Sequence, residues 1–240
     1  MTKRALVTGG SGGIGAAICK RLARDGCDVL VHANVNVAAA DSVVAAIEAA
    51  GGSARAVAFD VTDVGATSAA IGRILEAGPI QVLVNNAGVH DDAVFPAMRG
   101  EQWHRVLDVA LDGFFNVTQP LVLPMLRTRW GRIVSVTSVA GLIGNRGQVN
   151  YAAAKGALHA ATKSLALEVA TRGVTVNAVA PGIVTTAMSA GAFDADAIAK
   201  LVPMQRAGKP EEVAELVGFL CSDQAAYITG QVISIDGGMV

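Results

Sequence analysis

Residues 4–15 constrain the fold more than any other stretch of this chain. Arg4-Ala-Leu-Val-Thr8 is a short apolar strand, and Thr8-Gly-Gly-Ser-Gly-Gly-Ile-Gly15 follows at once. Ala16-Ala-Ile-Cys-Lys-Arg-Leu-Ala23 then carries apolar side chains at helical spacing. A strand that turns through glycines straight into a helix is the usual start of a dinucleotide site. The glycines let the backbone turn tightly and approach a pyrophosphate, which rests on the positive end of the helix. Gly9, Gly13 and Gly15 hold the motif positions in the spacing Thr-Gly-x3-Gly-x-Gly, with Ser11, Gly12 and Ile14 completing the loop. This is not the plain G-x-G-x-x-G pattern, and a glycine loop without a ligand is the alternative reading.

Apolar, β-rich runs alternate with helical patterns to the end of the chain. Strands are predicted near 4–8, 28–33, 55–59, 81–84, 131–137, 174–179 and 232–235. Helices are predicted near 13–25, 37–50, 65–77, 101–128, 150–171, 194–200 and 210–222. That order implies parallel strands joined by right-handed helical crossovers. The predicted fold is α/β: a single Rossmann-type doubly wound domain over 1–240, with a seven-stranded, mostly parallel sheet and helices on both faces. Ligands in such sheets bind outside the carboxyl ends of the strands, and Gly9, Asp60, Asn86, Ser138 and Pro181 all follow strands. Segment 183–208, rich in Ala, Gly and Met, is the expected movable lid.

Bulk properties exclude several classes. A net charge of −1 argues against nucleic acid or any other general polyanion as partner. Hydrophobic residues make up 52% of the chain, much of it alanine, which suits close helix contacts and buried subunit interfaces. The uncharged stretch 173–193 has the length of a membrane span, but Asn177, Pro181 and several threonines interrupt it. Cys19, Cys27 and Cys221 form an odd set without metal spacing, so reduced thiols are expected. No apolar signal core precedes the first strand, and a cytoplasmic location is the expectation. The four histidines are scattered; His90 reads as a surface residue and no metal site is expected.

Tyr151 and Lys155 stand one helical turn apart in Asn150-Tyr-Ala-Ala-Ala-Lys155, with Ser138 upstream at a strand end. Residues i and i+4 share a helix face, so an ammonium can sit beside a phenol and favour phenolate. That would lower the tyrosine pKa toward working pH, as general acid–base catalysis asks. Taken alone, most such pairs are solvated helix faces.

Together, the glycine turn, Asp60-Val61, Asn85-Asn86-Ala87-Gly88, the Ser138/Tyr151/Lys155 set and Pro181-Gly182 fall in the order of the short-chain dehydrogenase/reductase family, which the whole chain resembles. Gly144-Asn-Arg-Gly-Gln-Val-Asn-Tyr-Ala-Ala-Ala-Lys155, Arg172-Gly-Val-Thr-Val-Asn177 and Ile235-Asp-Gly-Gly-Met239 are most similar to the bacterial β-ketoacyl-[acyl-carrier-protein] reductases within it.

The resemblance implies hydride transfer from reduced nicotinamide to a ketone. Tyr151 would donate the proton, Lys155 would tune it and bond the nicotinamide ribose, and Ser138 would fix the carbonyl. Asp60 would accept from the adenine amino group with Val61 packed beside it. Asn86, Ala87 and Gly88 would line the ribose, and Ile183 and Thr186 would meet the carboxamide beyond Pro181-Gly182. The second strand ends His32-Ala-Asn34-Val-Asn36 without a carboxylate, which favours NADPH over NADH, with Asn34 the candidate for the 2′-phosphate. Gly12 stands where NADP-preferring relatives often carry arginine. Ala110 stands at the position of the family's proton-relay asparagine.

Arg129 and Arg172 match places where carrier-protein reductases face an acidic acyl carrier protein, though both also read as helix-end caps. Gln148 could touch the acyl chain or only shape its loop. The implied assembly is a homotetramer through 101–128, 150–171 and the last strand. The implied reaction is β-ketoacyl thioester reduction in fatty-acid, polyketide or polyene synthesis. An alcohol, sugar or small-ketone dehydrogenase, or a non-catalytic nucleotide-binding subunit, are the alternatives.

Overall fold

The computed structural model describes residues 2–186 and 194–240. Seven strands form one sheet: β1 (Arg4–Val7), β2 (Asp28–Ala33), β3 (Ser53–Ala58), β4 (Val82–Asn85), β5 (Gly131–Val136), β6 (Val174–Pro181) and β7 (Val232–Ile235). Their order is β3-β2-β1-β4-β5-β6-β7. Every pairing is parallel, so the sheet is wholly rather than mostly so. The order reverses between β1 and β4, which opens a crevice at their carboxyl ends.

Helices cover both faces because the strands are apolar on both. β1, β4, β5 and β6 are buried at every position. Successive residues point to opposite faces. Ala5 and Val7 therefore pack with Ile18 and Leu22 of α1 (Gly13–Arg24), Val43 of α2 (Val37–Ala49) and Val217 and Leu220 of α9 (Pro210–Cys221). Leu6 joins the other core, with Ile71 and Ile74 of α3 (Val64–Glu76), Leu121 and Met125 of α5 (Gly113–Thr128) and Val169 of α7 (Val149–Val169). Helix starts are capped by side chains where the sequence supplies them: Asn36 accepts from Ala39 N–H and Asp63 from Ala66 N–H. The remaining helices are α4 (Gly100–Leu107), α6 (Ala140–Ile143) and α8 (Ala195–Leu201).

One expected element divides. The long helix foreseen at 101–128 is α4, a π-helical turn at Asp108–Asp112, and α5. The extra residue in that turn rotates the buried stripe. Val106 and Ala110 face α7, against Ala154 and Tyr151, whereas Val117, Leu121 and Met125 face the sheet. A continuous helix of 3.6 residues per turn would not present both stripes. By length and composition the combined 100–128 segment is apolar enough to cross a membrane, but its buried positions belong to the domain core.

Candidate active site

The glycine turn closes over the start of α1. A Cβ on Gly15 would lie 2.1 Å from Gly9 O, so no other residue fits there. Gly9 and Gly13 have φ of 61° and 53°, the left-handed region. The Asn86 side-chain amide donates to Thr8 O and Gly9 O, both at 3.0 Å, and the Thr8 hydroxyl accepts from the Asn86 and Ala87 N–H groups. The ends of β1 and β4 are thereby latched together. α1 has no side-chain cap at its N-terminus. Its first amides are therefore open to an anion, and the bare turn leaves room for a pyrophosphate to approach them. Gly9, Ser11, Gly12, Gly13, Ile14 and Gly15 thus fit a dinucleotide.

His32, given no role by the sequence, ties this turn to the neighbouring strands. Its Nδ1 accepts the Gly9 N–H at 3.0 Å, so the ring proton is on Nε2 and is donated to Phe59 O at 2.9 Å. Burial pushes its pKa below the ordinary value. The signal was a lone polar ring in the otherwise apolar Val29–Ala33 run. One strand over, the Thr62 N–H holds the Asp60 carboxyl below its usual pKa, with the Thr62 hydroxyl and the Asn34 side chain adding to the effect. Asn34 is exposed beside it, and Val61 is buried against α5, where Gly113 leaves it space.

Ser138, Tyr151 and Lys155 converge at the carboxyl end of β5. The Ser138 hydroxyl oxygen accepts the Ala140 N–H at 3.1 Å and also interacts with the Tyr151 phenol. Tyr151 is placed by Asn150, a fully buried side chain that sequence reasoning left without a role. The Asn150 amide donates to Asp91 O and Gln102 O, and its oxygen accepts the Tyr151 N–H. Lys155 Nζ is buried and donates to Val136 O at 2.9 Å, and it lies 3.3 Å from where a Cβ on Gly88 would be.

Here the pKa expectation is corrected. Burial raises the Tyr151 phenol above its ordinary value, with the Ser138 contact only partly opposing it. Burial also brings the Lys155 ammonium down to about 8. Desolvation is the largest cause of the first shift and the only cause of the second.

Pro181, Gly182 and Ile183 carry the chain past the end of β6. Val139 N–H donates to Pro181 O, and Gly182 N–H to Ile235 O. Ile183 O accepts the Gly208 N–H, so the two ends of the 183–208 segment are hydrogen-bonded together. Thr186 lies beside Gly13, 3.5 Å from a Cβ placed there. The part of the expected lid at 187–193 lies outside the described residues.

A sequence profile of the family described as "Enoyl-(Acyl carrier protein) reductase" matches residues 9–240. The 3-oxoacyl-[acyl-carrier-protein] reductase FabG of Aggregatibacter actinomycetemcomitans is 46% identical over 241 residues, covering 100% of both chains. A 3-oxoacyl-[acyl-carrier-protein] reductase of Synechocystis is 47% identical over 98% of this chain and 96% of its own. FabG of Thermotoga maritima is 42% identical over 99% and 98%. The chain belongs to the short-chain dehydrogenase/reductase family.

This short-chain dehydrogenase/reductase departs from the expected pattern in places. Ala110, at the usual asparagine position, is buried in the π turn against Ala154 and Tyr151 and brings no side-chain polar atom. Asn116 does not replace it, because its amide donates to Val61 O on another face. Gln148 donates to Asp92 and accepts from Asn145 within its loop. Arg129 donates to Thr171 O, in the 3-10 turn (Ala170–Arg172) that follows α7, and Arg172 to Leu126 O in the last turn of α5, so each binds a carbonyl at the end of the other's helical segment. Both sit at the amino ends of β5 and β6, about 20 Å from the carboxyl ends for strands of this length. Within one chain they do not line the Ser138 site.

Proposed function

We propose that this chain is an NADPH-dependent reductase of 3-oxoacyl thioesters carried on acyl carrier protein, acting in fatty-acid or related polyketide or polyene synthesis. The observation that carries this reading is the convergence of Ser138, Tyr151 and Lys155 beside an uncapped glycine turn. Curated relatives over the full length support the substrate by their names. Gly9 to Gly15, Asn34, Asp60, Asn86 and Ile183 would hold the dinucleotide, which when bound supplies the hydride.

The chain's own residues supply the rest. The Ser138 hydroxyl accepts the Ala140 N–H and meets the Tyr151 phenol, so it is held beside the proton donor, where it would orient a ketone oxygen. A phenol with a raised pKa stays protonated at neutral pH, as a proton donor must. Tyr151 gives that proton to the developing alkoxide. Lys155, with a pKa of about 8, is mostly charged at pH 7 and stabilises the phenolate that forms. Burial excludes water from the Lys155 amine, while Tyr151 is half-buried at the crevice.

A homotetramer is part of the proposal. Phe115 and Leu123 on α5 and Leu167 on α7 are exposed apolar side chains on the helices expected at the interfaces. Arg129 and Arg172 would meet a carrier protein only from a neighbouring subunit's side. Three unpaired, buried cysteines support a reducing, cytoplasmic setting.

The deciding experiment compares carrier-bound acetoacetyl and crotonyl thioesters with NADPH and NADH. Fast NADPH oxidation with the first, lost in Tyr151→Phe, is expected. Turnover of the crotonyl thioester alone would place the hydride on a carbon–carbon double bond instead and overturn the ketone assignment. A 24 kDa particle by light scattering would overturn the tetramer.

A further inference from the structure

A second charged site lies at the edge of the sheet. Between β3 and α3 a groove of about 410 Å³ is lined by Arg4, Arg55 and Arg73, over an apolar floor that includes Val57, Ala70 and Ile74. Arg4 is almost entirely buried at the amino end of β1, where one guanidinium nitrogen donates to Gly78 O. Its Nε and Nη2 are buried without a hydrogen-bond partner.

A buried guanidinium with two unused donors is costly, and such groups are normally satisfied. The nearest carboxylate does not do it. Asp28 Oδ2 lies 3.7 Å from Arg4 Nε, beyond hydrogen-bond range, and is shared with Arg55 at 3.5 Å. The other Asp28 oxygen accepts the Ser53 hydroxyl. Arg73 makes no ion pair among the described residues, and neither does Glu76, the acid near the rim on α3.

Three cations therefore share one committed carboxylate, and even with Glu76 counted the groove keeps a net positive charge. The neighbouring Arg55 charge, after burial itself, pulls the Arg4 pKa down from its ordinary value, and Asp28 only partly opposes this. That is the sign of a cluster short of negative charge.

We propose that this groove binds a doubly negative oxyanion, a phosphate or an organic phosphate monoester, with the exposed Arg55 and Arg73 forks contacting it and the buried Arg4 charge lying beneath it. Guanidinium forks match phosphate oxygens two at a time, and the excess charge matches a dianion. The apolar floor would take a short carbon substituent on the ester. The occupant would bridge β1, β3 and α3, and so brace the edge strand that leads into Phe59 and Asp60. The site is separate from the glycine turn, which lies at the opposite end of β1.

The test is calorimetric titration of the intact protein with inorganic phosphate and, in a second arm, n-butyl phosphate. Saturating NADPH is present throughout to block the dinucleotide's own phosphate positions. Saturable binding is expected, weakened about tenfold or more in Arg55→Ala and in Arg73→Ala, since a lost charge-assisted hydrogen bond is worth a factor of that order. Both residues are exposed, so these variants keep the fold, and unchanged melting temperatures without phosphate would verify it. Tighter binding of the butyl ester identifies an organic phosphate as the occupant; equal binding identifies the free ion. Absence of saturable binding to the wild-type protein, or affinity unchanged from wild type in both variants, overturns the proposal.

Discussion

The Lys155 amine lies 5.5 Å from the centre of the Tyr151 ring and is hydrogen-bonded to Val136 O rather than to the phenol. One turn of α7 brings the two onto the same face, but the buried lysine is held by the end of β5. The ammonium is thus positioned by the strand end, and the fold carries the cost of keeping it charged.

That cost is measurable. The Lys155 pKa falls from 10.5 to about 8 on folding. The unfolded chain therefore binds more protons between those values, so stability rises with pH across that window and the full penalty is felt below it. A shift of this size corresponds to about 3 kcal/mol. Lys155→Met should remove it at the loss of about 1 kcal/mol for the orphaned Val136 carbonyl. We expect a melting temperature higher by roughly 4–8 °C at pH 7, with kcat reduced at least about a hundredfold. Calorimetry and steady-state rates check this; an unchanged or lower melting temperature would count against the buried charge.

His32 predicts acid sensitivity of cofactor binding. Its Nδ1 accepts from Gly9 N–H, so a proton added there meets another donor. The folded pKa lies below 6.5. Because the unfolded state takes up the proton first, this contribution to stability is complete above 6.5 and is lost as pH falls below it. The hydrogen bond to Phe59 O and then the Asp60 charge oppose the shift without cancelling it. NADPH affinity measured by fluorescence should fall with acid over that range. His32→Gln should bind more weakly at pH 7, by about tenfold for one lost hydrogen bond, and should show a flatter pH profile. An identical profile in the variant would remove His32 from the account.

Two glycines of the turn, Gly12 and Gly15, should behave oppositely. Gly12 has an extended φ of −164° and nothing within 4 Å of a built Cβ. Gly12→Arg should fold normally and strengthen NADPH over NADH by about tenfold, as one charge-assisted bond to a 2′-phosphate would. Gly15→Ala places its methyl on Gly9 O and should lose about 3 kcal/mol or more, or fail to fold. Circular dichroism melts and the ratio of the two cofactors' kcat/KM test both.

Ala110→Asn would return a polar side chain to the proton path. The site is packed against Val106, Ala154 and Tyr151, so overfilling should cost about 1–3 kcal/mol. We expect kcat to rise about threefold to tenfold with a smaller solvent isotope effect. A lower kcat at unchanged isotope effect would show that proton supply does not limit this enzyme.

The path from residues to site was short for the glycine turn and for Ser138, Tyr151 and Lys155. Their signals are local: a turn needs glycine where φ is positive, and a helix places i and i+4 together. The alternation of apolar runs likewise dictated a doubly wound sheet, and the seven strand positions follow from it. Asn150 and His32 were visible as letters but not as functions, because their partners, Gln102 and Phe59, are distant in sequence.

Tertiary structure alone decided the rest. It turned Arg129 and Arg172 into mutual helix caps, since only packing brings the ends of α5 and α7 side by side. It split the long helix with a π turn, because one segment must serve both α7 and the sheet. It also set the sign of the Tyr151 shift: local spacing supplies the neighbouring cation, but the depth of burial, the largest cause here, is a property of the whole fold.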